Sequence, residues 1–294
     1  MAHVHMTGSR SVGSSAAILL IALMGCGPAL AAPRQAATLQ AGFTEMYELR
    51  FSTARASFDS YIQEHPKDPM GEASLAAGYL FEEFNKQGIL TPAFFLNDKK
   101  LLGGVPNPQH DAAQADFLQV DDKAREMAEA ILKTSPRDPN ALLVLTLANG
   151  MQADYDALIA KQHISSLLLL RQTQQSARLL LLVNPNANDA YLALGAANYI
   201  IGCLPSYKRF FLSFAGIQGN RALGMQQLKL ASESGHYLKP FAKVLLALAA
   251  LRERQPRLAR SLLGQLHQEF PQNPEFTQEL ANLDRSGEPA NLSR

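Results

Sequence analysis

Residues 184–202, NPNANDAYLALGAANYIIG, place a chain break and a helix in immediate succession. Pro185 ends the helix before it, because proline has no N–H and a fixed φ, and the asparagines around it suit the cap of a following helix. From Tyr191 onward, large and small apolar residues are mixed, including Gly195 and Gly202. Helices that cross closely need glycine or alanine at the contact, with large side chains beside it. The stretch predicts one arm of a tightly packed helical hairpin.

The same kind of break recurs along the chain. Three other corners combine proline with Asp or Asn between two helical stretches: residues 65–69 (HPKDP), 135–139 (SPRDP) and 270–274 (FPQNP). A further boundary between two helical stretches lies at 234–236 (SGH), where the pattern calls for a corner, but it contains no proline. Between the corners there is little of the β-branched alternation that is typical of strands. The pattern predicts an all-α chain after residue 36.

The residues beside these corners resemble tetratricopeptide repeats (TPRs), which are helix–turn–helix units of 34 residues. Those matching around the first corner are Phe51, Ala54, Phe58, Tyr61, Leu75, Ala76 and Tyr79. In the third repeat, the resemblance places the turn at 153–155. Corner prolines 70, 49 and 86 residues apart indicate inserts within the repeats. The resemblance implies a right-handed α–α superhelix, a TPR-like solenoid of about five degenerate repeats with inserts, at 36–285. A final helix is expected near 275–284, and a disordered tail at 286–294.

The first 31 residues resemble an export signal. Ala16 to Met24 run apolar for nine residues, which is far fewer than the roughly 20 that span a bilayer. Small residues at 29–31 (ALA) suit cleavage of a secretory signal peptide at 1–31. Alternatively, residues 23–26 (LMGC) resemble a lipoprotein box in which Cys26 is lipidated, although Met24 departs from that pattern. The sequence predicts export, either to the periplasm or to a membrane anchored through Cys26.

Composition and motifs exclude several classes of protein. The 294 residues are 47% hydrophobic and 18% charged with a net charge of +1, so the chain is neither wholly disordered nor basic enough to favour nucleic acid. Two cysteines cannot make a disulfide framework or a zinc cluster. HExxH, GxSxG, Walker and GxGxxG motifs do not occur in the sequence. We expect no enzyme activity, no cofactor and no metal. The resemblance to TPRs implies binding of a protein or peptide instead.

Two inserts each place an aromatic pair near a basic pair, after a proline. Insert 1 (88–119) and insert 2 (203–220) supply the candidate partner-binding residues, which are Phe94, Phe95, Lys99 and Lys100, and Tyr207, Lys208, Arg209, Phe210 and Phe211. Rings beside cations suit protein hot spots and membrane interfaces, where the ring is buried and the charge stays hydrated. In the alternative interpretation, these rings close the groove of the solenoid or fill a gap between repeats.

Asn149 and Asn198 occupy the same position of their repeats, where an aromatic residue is usual. Their amides suit either an extended peptide backbone or the satisfaction of polar groups inside the stack. The sequence thus predicts an exported, non-enzymatic scaffold whose concave groove binds a protein or peptide of the cell envelope. The alternatives are a lipid-anchored lipoprotein of envelope assembly and a helical protein that binds a lipid or small molecule.

Overall fold

The computed structural model describes residues 38–106, 112–214 and 216–287. Within these ranges every regular element is a helix, which confirms the predicted all-α class. The predicted leader at 1–31, the lipidation candidate Cys26 and the tail beyond Gly287 lie outside the described residues. The helices are α1 (Leu39–Tyr47), α2 (Phe51–Glu64), α3 (Pro69–Lys86), α4 (Pro92–Phe95), α5 (Asp98–Gly103), α6 (Ala112–Thr134), α7 (Pro139–Leu158), α8 (His163–Val183), α9 (Ala190–Cys203), α10 (Ser206–Phe214), α11 (Arg221–Ser234), α12 (Lys239–Arg252), α13 (Pro256–Glu269) and α14 (Pro274–Gly287).

Ten of these helices form five consecutive hairpins, and each hairpin packs on the next. The pairs are α1 with α2, α3 with α6, α7 with α8, α9 with α11, and α12 with α13. Helix α14 packs on α13 as the predicted terminal helix. Both inserts lie inside a repeat, with α4 and α5 between the helices of the second hairpin and α10 between those of the fourth. The fold is a TPR-like helical solenoid with five repeats, as predicted.

The fourth hairpin shows why small residues are needed at the crossings. A Cβ at Gly195 of α9 would lie 2.8 Å from the backbone nitrogen of Leu228 in α11. A Cβ at Gly224 would lie 2.5 Å from the backbone nitrogen of Tyr199. Real Cβ atoms do not approach backbone so closely, so α9 and α11 pack at a distance that only glycine permits.

The corners are closed by side chains that the sequence pattern predicts. Asp68 accepts a hydrogen bond from the backbone N–H of Met70 at 3.0 Å, and Asp138 accepts from that of Ala141 at 2.8 Å. Proline occupies the first turn of both following helices, α3 and α7, where no N–H is required. Asp189 instead bonds across to the corner that lacks proline. Its carboxylate accepts from the N–H groups of His236, Tyr237 and Leu238 at 2.8 to 3.2 Å.

The solenoid closes on itself, because the first repeat contacts the last. The Tyr47 hydroxyl donates to the carbonyl oxygen of Tyr237 at 3.1 Å, and Asn273 Nδ2 donates to the carbonyl oxygen of Tyr47 at 2.8 Å. The ring of Phe43 stacks on Tyr237 with the centroids 5.2 Å apart. The described residues therefore do not form the open concave groove expected from the sequence. Helices α1, α3, α7, α9 and α12 surround an interior cavity of about 100 Å³.

The third repeat differs from its prediction in the place of its turn. The resemblance to TPRs puts a turn at 153–155, but α7 continues to Leu158 and α8 begins at His163. The extra length of this repeat thus extends both helices, which have 20 and 21 residues. No helix in the described ranges combines the length and the hydropathy needed to cross a bilayer.

Candidate interaction surface

Insert 1 packs against the body of the protein. Phe94 is 4% exposed and belongs to a core cluster with Leu80, Phe84, Ile89, Phe117, Tyr155 and Ile159. Phe95 is half-buried and lines a small apolar cavity between α9 and α12. Lys99 and Lys100 are exposed in the first turn of α5. The two rings have the packing role that was one of the alternatives for this insert, and of its four candidate residues only the lysines are exposed.

Distant residues hold insert 1 in place at several points. Arg252, at the end of α12, donates from Nη1 to the carbonyl oxygen of Phe95 at 2.8 Å and forms an ion pair with Asp98. The N–H of Val105 donates to the carbonyl oxygen of Leu158 at 2.8 Å. Insert 1 therefore bridges the second, third and fifth repeats.

Insert 2 presents its aromatic residues to solvent. Helix α10 has no buried residue. Its four rings are 62%, 59%, 68% and 76% exposed, in the order Tyr207, Phe210, Phe211 and Phe214. With about 100° between successive residues, these rings share one face and Leu212 lies on the opposite side. Leu212 packs against Ala197, Ile201 and Ile217, so the aromatic face points away from the ring of repeats.

The aromatic face of α10 is a small cluster of rings with Lys208 at its edge, whereas the 100° spacing places Arg209 nearer to the side of Leu212. The Phe210 ring lies 4.9 Å from Phe214 and 5.9 Å from Phe211, between centroids, in edge-to-face arrangements. Lys208 and Arg209 are exposed and form no ion pair with any residue in the described ranges. Insert 2 thus presents exposed rings and exposed cations on one short helix.

Asn149 and Asn198 lie inside the stack rather than on a surface. Asn198 donates from Nδ2 to Gln227 Oε1 at 2.8 Å and so joins α9 to α11. Asn149 is buried, and its Oδ1 has no hydrogen-bond partner among the described residues. The equivalent positions thus do not form one amide pair, and neither side chain is presented to a partner.

The interior cavity is mostly apolar, and the polar side chains that line it are Thr146 and Asp154. Asp154 of α7 lines it together with side chains of α1, α3, α9 and α12. Asp154 is an exposed residue at this cavity, and desolvation by the protein atoms around its carboxyl raises the pKa of that carboxyl to about 7. Asp121 of α6 also has its pKa raised to about 7, because burial outweighs the nearby Arg125.

No group of three His, Cys, Asp or Glu side chains is placed to hold a metal within the described ranges.

A second exposed stripe, on α8, was not predicted from the sequence. Ile164, Leu168, Arg171, Arg178 and Leu182 follow each other at helical spacings and share one exposed face. Ile164 and Leu182 are 80% and 81% exposed. The signal was present in the sequence, because the apolar runs at 167–170 and 179–183 leave too many apolar residues for one buried face.

Comparisons with known proteins give no family. No protein-family model matches the chain, and no curated protein matches it. Among solved structures, it is similar to a thermophilic TPR protein from Thermus thermophilus, with 17% sequence identity and a TM-score of 0.43. That similarity covers 84% of this chain and 100% of the other. The helix order and packing described above establish the fold, and the similarity carries no functional inference.

Proposed function

We propose that the protein is a non-enzymatic interaction scaffold of the cell envelope, which holds its partner through the aromatic face of α10. The observation that carries this proposal is a helix with no buried residue whose four rings all face outward. Clustered exposed apolar side chains on a folded protein are typical of interaction sites. Tyrosine and arginine, which α10 also carries, are among the residues that contribute most at protein interfaces.

The closed ring supports contact at an outer face rather than in a groove. The interior cavity has about 100 Å³, whereas ligand pockets have roughly 300 Å³ or more. The interior cavity is therefore too small for a peptide segment, which favours a partner at an outer face. A protein or peptide of the envelope and the membrane surface are the two kinds of partner that exposed rings near cations suit.

The absence of catalysis is proposed from the chemistry of the face. Rings and cations attract a partner, but catalysis needs a nucleophile or an acid–base pair beside the bound group. Helix α10 offers two serines and no acid or histidine. A rigid helical scaffold with such a face binds without a large cost of ordering itself.

Export is proposed from the predicted leader and is tested by the mass of the mature N-terminus. A chain that starts at Ala32 is a soluble periplasmic protein, and one that starts at a lipidated Cys26 is a membrane-anchored lipoprotein. A chain that keeps Met1, or that fractionates with cytoplasmic markers, contradicts the proposed compartment.

The α10 contact is tested by affinity capture of the tagged chain from its own envelope, followed by mass spectrometry of proteins and lipids. The double variant Phe210→Ser and Phe211→Ser should lose the molecules recovered with the unchanged chain. Leu96→Ser is the matched control, because Leu96 is exposed but lies in insert 1. Both variants should keep the helical circular dichroism spectrum. Equal recovery with the α10 double variant and the unchanged chain would refute the contact.

A further inference from the structure

Charge is distributed very unevenly along this nearly neutral chain. Residues 157–232, named here the basic sector, contain seven Lys and Arg side chains and a single acid, Asp189. The rest of the sequence contains 20 basic and 25 acidic side chains. The basic sector comprises α8, α9, α10 and α11 except for the last two residues of α11, of which Glu233 is an acid. One side of the solenoid thus carries a positive charge that the rest of the chain offsets.

The surface of the basic sector is more positive than this count suggests. Asp189 is 5% exposed, and its carboxylate is engaged by three backbone N–H groups. All seven cations are exposed. Arg221 pairs with Glu253 at 3.3 Å and Lys229 with Glu233 at 3.8 Å. The other five pair with no acid in the described part of the chain: Lys161, Arg171, Arg178, Lys208 and Arg209.

The same sector carries nearly all of the exposed large apolar side chains. Of the eleven in the described ranges, only Leu96 lies elsewhere. The other ten are Ile164, Leu168, Leu179, Leu182, Tyr207, Phe210, Phe211, Phe214, Leu223 and Leu230. Helices α8 and α10 both adjoin α9, because Leu167 and Leu170 of α8 and Leu212 of α10 pack against the small core of Ala197, Ile201 and Ile217. The stripe on α8 and the aromatic face of α10 therefore lie on two helices that adjoin the same part of α9.

We infer that the basic sector docks on the surface of a lipid bilayer with anionic headgroups. The rings of α10 and the aliphatic side chains of α8 enter the boundary between headgroups and acyl chains, while the unpaired cations contact the headgroups. This inference rests on the proposed function, since it names the partner of the α10 face. It requires no spanning helix, because apolar side chains on one face suffice for a protein that lies on a membrane.

Charge and shape favour a bilayer over the other possible occupants. A second copy that used the same face would bring two positive sectors together. Residues 1–37 contain two arginines and no acid, so they do not supply the missing negative charge. The apolar side chains are spread along α8, whose 21 residues span about 30 Å, and do not line a pocket. A bilayer can accommodate scattered apolar side chains, whereas a protein partner requires a surface of complementary shape.

The test is sedimentation of the purified full-length chain with vesicles. One set contains equal parts of phosphatidylglycerol and phosphatidylcholine, and the other contains phosphatidylcholine alone. Binding should be strong on the anionic vesicles, weak on the neutral ones and reduced in ~1 M salt, where the screening length is about 3 Å. Lys208→Gln with Arg209→Gln should weaken binding to anionic vesicles at least about fivefold, which is the effect of one charge near the membrane surface, because Lys208 borders the rings and Arg209 lies farther from them. Phe210→Ser with Phe211→Ser should weaken it roughly tenfold or more.

Insert 1 supplies the matched control. The double variant Lys99→Gln and Lys100→Gln removes an exposed basic pair that lies outside the basic sector, and it leaves residues 1–37 as they are. It should therefore bind vesicles as the parent chain does. The inference would be overturned if the Lys99/Lys100 variant lost as much vesicle binding as the Lys208/Arg209 variant. It would also be overturned if the parent chain bound the anionic and the neutral vesicles equally well. Dimerisation that the α10 variants abolish, without vesicle binding, would assign the face to a second copy. Loss of envelope capture by the α10 variants, without vesicle binding by the parent, would leave the proposed function standing and replace the bilayer with a protein.

Discussion

Insert 1 and insert 2 each follow the first helix of a repeat, and each carries an aromatic pair, a basic pair and a left-handed glycine. Phe94 of insert 1 nevertheless lies in the core, whereas Phe210 of insert 2 faces solvent. The difference is in the distant chain. Arg252, more than 150 residues away, binds insert 1 at two points, while insert 2 is attached mainly through its own Leu212 and Ile217. The position of an aromatic pair is therefore decided by what the fold brings beside it.

The first prediction compares one ring from each insert. Phe94→Ala should lower the free energy of unfolding by about 4 kcal/mol, because it leaves a cavity in a packed cluster. Phe210→Ala should change it by less than about 0.5 kcal/mol, because the ring is exposed and its aromatic neighbours, Phe211 and Phe214, are exposed on the same short helix. Urea denaturation followed by circular dichroism measures both values. Similar losses for the two variants would mean that α10 is packed as tightly as α4 and that the contrast is wrong.

The second prediction uses the glycines of the two inserts. Gly104 and Gly216 have φ values of 71° and 73°, so alanine is strained at either position. A Cβ at Gly104 would also lie 2.5 Å from the carbonyl oxygen of Leu158, whereas Gly216 has open space around it. Gly216→Ala should cost about 1 kcal/mol and Gly104→Ala about 3 kcal/mol, again from urea denaturation. Equal losses of stability in the two variants would show that only backbone strain destabilises them. Insert 1 would then shift enough to relieve the contact between residue 104 and α7.

The repeats were predictable because their signals are local. A corner proline, an aspartate such as Asp68 that caps the next helix, and a glycine such as Gly195 at a crossing are each readable within a few residues. Closure of the ring depends instead on Tyr47 and Asn273, which are 226 residues apart and carry no shared pattern. The turn expected at 153–155 was wrong because a helix can continue wherever its next turns find apolar contacts.

For the candidate surface, the sequence pattern gave no means of separating the buried aromatic pair from the exposed one. Phe94 and Phe210 were equivalent by pattern, and only the packing of insert 1 separates them. The stripe on α8 was readable in principle, because residues 157–188 contain no acid and too many apolar side chains for one buried face. Runs of leucine in a helix are more often core, so exposure along Ile164 and Leu182 needed the structure.

The last prediction tests whether Arg252 is what makes insert 1 differ from insert 2. Arg252→Ala removes the hydrogen bond to the Phe95 carbonyl and the ion pair with Asp98, and should cost about 1 kcal/mol. Most of that effect belongs to the hydrogen bond, because Asp98 is largely exposed and exposed ion pairs contribute little. Arg221→Ala is the matched control, since Arg221 bonds the carbonyl oxygen of Gly202 beside insert 2 and pairs with Glu253.

Amide hydrogen exchange is the measurement that separates the two arginines, because it reports local opening that global unfolding conceals. In Arg252→Ala, the amides of α4 and α5 should exchange faster and approach the behaviour of α10, while the amides of α3 and α7 stay protected. In Arg221→Ala, exchange in α4 and α5 should not change. If α4 and α5 stay protected without Arg252, then the burial of Phe94 alone holds insert 1. The two inserts would then differ because the ring of Phe94 packs into the core and that of Phe210 does not. The contacts of Arg252 would be a consequence of the packed insert and not its cause.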